Sequence, residues 1–290
     1  MIKKSLLFFT CFFSLIARAD LPQNDLNLED GLYFSSNMTE ARFKQIIDSV
    51  AVIYKPIVAN FGAKLTVSYN WNDSTVNAYA EQSGNEWNIA MFGGLARRPE
   101  VTDDGFALVV CHEIGHHLAG FAFYPGGDWA ASEGQSDYFA NHVCAKKVFA
   151  GSASRLKEFK SKISARAIYR CDSVYTSSED KAVCYRGVSA GVSLANLLAK
   201  INNEKTPNLE KPDSRVVRTT NPAHPAAQCR LDTYLAGSVC TKPFRDDIIP
   251  GRNNPRGQDT FEAQAQAFTF SCSGTSFGAR PACWFAVLKK

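Results

Sequence analysis

One heptapeptide, Cys111-His112-Glu113-Ile114-Gly115-His116-His117, holds three of the five histidines in this chain. His112 and His116 are four residues apart, and on a helix that spacing puts both imidazoles on one face, one turn apart. Two such nitrogens can reach a single Zn²⁺ at about 2.0–2.1 Å. Glu113 sits beside His112, angled toward a metal-bound water whose pKa zinc lowers to about 7. It can take that water's proton and hand it to a leaving amine. The H-E-x-x-H spacing therefore suits metal-assisted hydrolysis of a peptide bond. The bland alternative is a helix with two packed or solvated histidines.

A hydrolytic zinc needs a third protein ligand and one open position. Downstream, Ser132-Glu133-Gly134-Gln135-Ser136-Asp137 opens a second helix with Glu133 and Asp137 one turn apart on the same face. Glu133 is the candidate third ligand. Asp137 is the candidate partner for the far nitrogen of a ligand histidine, an interaction that fixes the tautomer. The alternative is two ordinary surface acids. A third histidine six residues past His116 would complete a different zinc pattern, but Ala119 and Ala122 stand where its glycine and histidine belong. His117 faces another side of the helix, and His142 is nine residues beyond Glu133; both are expected to be structural.

The elements that must carry these residues follow from apolar spacing and turn signals. Residues 39–60 have helical periodicity, with Pro56 expected to kink or split the helix and Gly62 to end it. Three β-branched or aromatic segments follow, Lys64–Trp71, Thr75–Glu81 and Glu86–Phe92, read as an antiparallel meander. Thr102-Asp103-Asp104 opens the H-E-x-x-H helix and Gly120 stops it. The second helix runs from about Ala131 to Phe149. Helical patterns recur at about 153–168, 179–201 and 222–236, with a polar, Pro-containing stretch at Asn203–Asn221. The tail from Thr241 onward reads as loop-rich.

The chain opens with Lys3 and Lys4, an apolar run from Ser5 to Ile16, and Ala17-Arg18-Ala19. That is the layout of a cleavable export signal over residues 1–19, with Asp20 as the new N-terminus. Cys11 lies mid-run and does not suit lipid attachment. Loss of Lys3, Lys4 and Arg18 takes the net charge from +4 to +1, so neither nucleic acid nor an anionic membrane is an indicated partner. No later long uncharged apolar run suggests an anchor. Of nine cysteines, eight remain without Cys11, an even set that suits disulfides in an exported chain, periplasmic or extracellular. Eight cysteines allow about 105 connectivities. Short local loops would pair Cys171–Cys184, Cys229–Cys240 and Cys272–Cys283, leaving Cys111–Cys144 to tie the two ligand helices together. No C-x-x-C spacing supports a cysteine zinc cluster.

These residues resemble the gluzincin metallopeptidases of the HtpX and CAAX-prenyl-protease type over about residues 64–145. Val76-Asn77-Ala78-Tyr79-Ala80 resembles that family's "NAFA" strand, Gly93-Gly94-Leu95 its "GL" turn, His112-Glu113-x-x-His116 its zinc helix, and Glu133-x-x-x-Asp137 its third-ligand block, with Ser136 where alanine is usual. His224-Pro225 followed by Arg230 resembles its "HP" element. The resemblance implies an α+β, zincin-like fold over residues 20–240: a small sheet packed on the zinc helix, then a mostly helical half. Residues 241–290 would form a disulfide-held extension. It also implies that His224 helps stabilise the oxyanion and that Arg230 holds the Glu133 region. The family's transmembrane helices and intracellular cysteine usage are not shared, so membrane-embedded substrates do not carry over.

The resulting expectation is a soluble, exported zinc peptidase. His112, His116 and Glu133 would be ligands to one Zn²⁺, with Glu113 as general base. A peptide substrate would pair with an edge strand at residues 87–92. Two rivals use the same residues: a non-hydrolytic binding or chaperone module of the cell envelope, and a zinc amidase acting on cell-wall peptides.

Overall fold

Side-chain hydroxyls set where five helices begin. Thr39, Thr102, Ser164, Ser177 and Thr260 each accept a hydrogen bond from the backbone N–H three residues on, satisfying a donor that a helix start leaves unpaired. The computed structural model describes residues 18–20, 24, 26, 38–125 and 129–289. In chain order the elements are β1 (Arg18–Asp20), α1 (Glu40–Ala59), β2 (Lys64–Asn70), β3 (Ala78–Ser83), β4 (Glu86–Phe92), α2 (Gly93–Ala96), α3 (Asp103–Leu118) and α4 (Glu133–Phe139). A π-helical turn (Ala140–Cys144) joins α4 to α5 (Ala145–Val148). Then come a short 3₁₀ turn (Ala153–Arg155), α6 (Leu156–Lys160), α7 (Ala165–Val174), α8 (Ser178–Ile201), α9 (Ala227–Val239) and α10 (Phe261–Thr269). The fold is mixed α+β. Of the expected leader, residues 1–17 lie outside the described residues.

Among the described residues one four-stranded sheet has the order β1-β3-β4-β2. β3 and β4 form a tight hairpin around Gly84, whose φ of +55° suits glycine at such a turn. The expected meander is corrected at β2, which pairs parallel with β4, Leu65 opposite Trp87 and Val67 opposite Ile89. Residues 71–77 are too long for a hairpin turn, and Gly94 N–H holds Asp73 O at 2.9 Å, so the chain crosses the sheet end instead of folding back. β4 is consequently paired on both sides. Residues 87–92 are therefore not an edge, and the substrate edge expected there is overturned.

The helices differ from expectation where proline or a local cap decides. α1 runs through Pro56; the carbonyl that loses its partner belongs to Val52, a residue on the solvent side. The pattern at 153–168 breaks in two because Ser164 caps a new start. α9 begins at Ala227 and not near 222, since Pro225 disfavours helical backbone at His224. α8 has the length and apolarity of a membrane span, but 72% of its apolar window is buried inside the fold, as a core helix requires.

α3 is buried on every side from Gly105 to Leu118, the mark of a central helix. It packs against β3 and β4 on one flank and α8 on another, while α9 lies across α4 and α8. The tail contributes a helix and folds back on this body. Trp284 and Phe285 join Phe121 and Phe123 in one apolar cluster, and Pro250 O accepts from Phe121 N–H at 2.8 Å.

Among the described residues there are four disulfides. Cys111–Cys144 and Cys171–Cys184 pair as expected. The other two expected pairs are corrected to Cys229–Cys283 and Cys240–Cys272. The two cysteines of α9 and its end each reach into the tail, because the tail folds back over α9. Four bridges are compatible with an oxidising, exported environment.

Candidate metal centre

α3 and α4 bring the candidate ligands together by close approach. A Cβ on Gly115 would lie 2.9 Å from Ser136 Cα, so glycine lets the two backbones meet. Cys111–Cys144 bridges the same two segments, and Trp284 packs on Gly134, where a Cβ would meet the indole at 2.3 Å. His112 Nε2 and His116 Nε2 are 3.0 Å apart. Glu133 Oε2 is 3.2 Å from His112 Nε2, and Glu133 Oε1 is 3.7 Å from His116 Nε2. All three residues are buried, and their donor atoms lie within 4.8 Å of one another.

A second layer orients the first. His112 Nδ1 is 2.8 Å from Asp137 Oδ1, as expected of Asp137. Arg230 grips Asp137 through Nε at 2.6 Å and Nη2 at 2.7 Å, and Tyr234 O–H donates to Asp137 Oδ1 at 2.6 Å. Arg230 Nη2 lies 3.5 Å from Glu133 Oε2, so its main partner is Asp137 and Glu133 comes second. On the other side, His116 Nδ1 faces Ala131 O at 2.8 Å and Ser136 Oγ at 3.0 Å. An Nδ1–H held by a carbonyl leaves the Nε2 lone pair for an ion.

These surroundings tune the two rings in opposite directions. Burial works against a charged His112, but Asp137 and Glu133 overrule it and raise its pKa to about 10. Burial wins at His116, despite Glu133, and takes it down to about 4. Burial alone would raise the Glu133 carboxyl; His112, His116 and His224 carry it well below the usual carboxylate range.

His224 and Arg230, far away in sequence, both reach the site. His224 Nε2 is 3.2 Å from Glu133 Oε2, and with a side chain 23% exposed it is the group at the rim. Glu113 is buried on α3, and its charge reaches Tyr124. Tyr124 is a site residue that sequence reasoning missed: its hydroxyl donates to Glu133 Oε1 at 2.8 Å. It sits in a loop without periodicity, and no spacing rule points to it. His117 and His142 are structural, as expected. His117 is sandwiched between the rings of Trp87 and Trp129, and His142 Nε2–H donates to Lys242 O at 2.7 Å.

The donor set fits a divalent ion. Three ligand atoms about 2.0–2.2 Å from one tetrahedral ion sit roughly 3.3 Å apart, close to the separations found. Glu133 Oε2 is buried and faces three nitrogens, His112 Nε2 and His224 Nε2 at 3.2 Å and Arg230 Nη2 at 3.5 Å. A cation between His112 Nε2, His116 Nε2 and the Glu133 carboxylate would satisfy all three groups at once. The other cluster of potential donors, Asp213, Cys229 and Cys283, is not available, because both sulfurs are in one disulfide.

No protein-family model, no curated protein and no solved structure matches this chain.

Proposed function

We propose that this chain is an exported zinc-dependent peptidase with a zincin-like, gluzincin arrangement. The observation that carries the reading is the convergence of His112 and His116 from α3 with Glu133 from α4, all buried, on a helix that also presents Glu113. The chemical nature of the donors, two imidazoles and one carboxylate, favours zinc.

His112, His116 and Glu133 would hold the zinc ion, which would supply Lewis-acid chemistry toward a carbonyl oxygen and water. Glu113 takes a proton from the attacking water and returns it to the departing amine. His224, at the rim, donates to the developing oxyanion. Asp137 orients His112, and Arg230 neutralises Asp137 while steadying Glu133. With β4 interior, the peptide's place moves to the outer edge of β3, adjoining α3. In this structure Arg18–Asp20 pairs there, opposite Tyr79–Glu81. Cleavage of the leader after Ala19 removes two of those three residues and frees the edge for a substrate strand.

The test is metal content together with hydrolysis of a peptide mixture by the exported chain. Expected are one zinc per chain, hydrolysis abolished by a chelator and restored by zinc, and a Glu113→Gln variant that keeps zinc but loses about 10²–10⁴-fold in rate. A wild-type chain that holds zinc and cleaves nothing points to the binding module. Cleavage confined to cell-wall peptides points to the amidase. Full activity in Glu113→Gln removes the mechanism.

A further inference from the structure

Tyr124 stands in the loop between the two ligand helices, and the neck of that loop is pinned. Its backbone N–H donates to Ala130 O at 2.9 Å, and Phe123 pairs with Ala131 in an antiparallel bridge. The ring lies 28° from parallel to the His116 ring, with centroids 6.4 Å apart. The hydroxyl is thereby aimed at Glu133, to whose Oε1 it donates at 2.8 Å.

The two oxygens of this carboxylate are consequently unlike. Oε1 carries a hydrogen bond from Tyr124. Oε2 instead faces ring and guanidinium nitrogens, His112 Nε2 and His224 Nε2 each at 3.2 Å and Arg230 Nη2 at 3.5 Å, whereas the imidazole nearest Oε1, His116 Nε2, is 3.7 Å away. A carboxylate bound through both oxygens fills two coordination positions; one bound through a single oxygen fills one. A hydrolytic zinc needs the second arrangement, with three protein ligands and a place left for water and substrate.

We infer that Tyr124 is a positioning residue: it caps Glu133 Oε1, restricts the carboxylate to ligation through Oε2, and so keeps one coordination position open. This rests on the reading of His112, His116 and Glu133 as a metal site. The capping needs only the hydroxyl, and Tyr124→Phe retains the ring and its stacking on His116.

The experiment replaces zinc by cobalt(II) in the full chain and in Tyr124→Phe, then compares the visible absorption. Four-coordinate cobalt(II) absorbs more strongly than five-coordinate. The expected result is one cobalt per chain in both, an intense four-coordinate spectrum in the wild type, and a weaker spectrum in the variant as the second oxygen moves in. A purely structural role predicts weaker metal uptake with the same spectrum per bound ion, and that result overturns the inference. X-ray absorption on the wild-type chain is an independent check that needs no variant: a five-coordinate ion with two Glu133 oxygens also overturns it. If the wild type takes up no stoichiometric cobalt, the metal site itself fails, an outcome distinct from either.

Discussion

The two halves of the candidate metal centre are built from different materials. His112 is oriented by a carboxylate, which is itself held by Arg230 and Tyr234. His116 is oriented by the carbonyl of Ala131, with Ser136 alongside. The Nε2 atoms of the two rings are 3.0 Å apart and both rings are buried, yet one pKa rises to about 10 and the other falls to about 4. Burial penalises the cation in both cases and Glu133 faces both rings; the Asp137 carboxylate, 2.8 Å from His112 Nδ1 alone, reverses the sign at His112. His117 and His142 belong with His116: each has a backbone carbonyl as partner, and burial takes each down to about 3. The charged half demands compensation from a distant helix, whereas the carbonyl half is completed by its own loop.

The largest effect that would break this contrast comes from Arg230. An Arg230→Met change leaves Asp137 and Glu133 buried without their cation. It should cost about 3–5 kcal/mol in urea denaturation; a loss below about 1 kcal/mol would mean the charged half does not depend on α9. Asp137→Asn should weaken zinc binding about 10–100-fold in a chelator competition, because the amide no longer favours the cationic or ion-bound ring. Unchanged affinity would place both histidines in one class.

Acid separates the carbonyl-partnered group. His142 binds fewer protons folded, with a pKa of about 3, than unfolded at about 6.5. Its burial, with Lys146 and Arg280 nearby, favours the neutral ring. Its contribution is therefore fully present above about pH 6.5 and declines as pH falls toward 3, at up to about 1.4 kcal/mol per pH unit. A His142→Gln variant should show a shallower slope of unfolding free energy between pH 6 and 4; an identical slope would rule His142 out as a source of acid sensitivity. The smallest effect is expected from Ser136→Ala. His116 Nδ1 keeps Ala131 O at 2.8 Å, so zinc affinity should drop by only a few-fold, roughly the 0.5–1.5 kcal/mol of one neutral hydrogen bond.

Much of the centre was legible in the chain because it depends on local spacing. Four-residue intervals place His112 with His116, and Glu133 with Asp137, on single helix faces whatever surrounds them. Cys111 and Cys144 could be paired because each sits on a ligand helix whose partner was already identified. The bridges of Cys229 and Cys240 were misassigned because nearness in sequence is a poor guide once the tail folds back over α9. The β2–β4 pairing was misread for a similar reason: the strands have the same composition in either topology, and the seven-residue crossing decides between them. Tyr124 gave no signal, since a loop residue acquires its partner only when both ligand helices are in place.

The chain alone determined which side chains could act together as metal ligands, since helix periodicity is a property of the backbone. Tertiary structure decided everything about their electrical state. A carboxylate, a carbonyl or a guanidinium acts within a few ångströms, and those neighbours arrive from α4, α9 and the intervening loop, up to 118 residues from His112 along the chain in the case of Arg230. The sign of each ring's shift, and the oxygen by which Glu133 faces it, follow from that assembly.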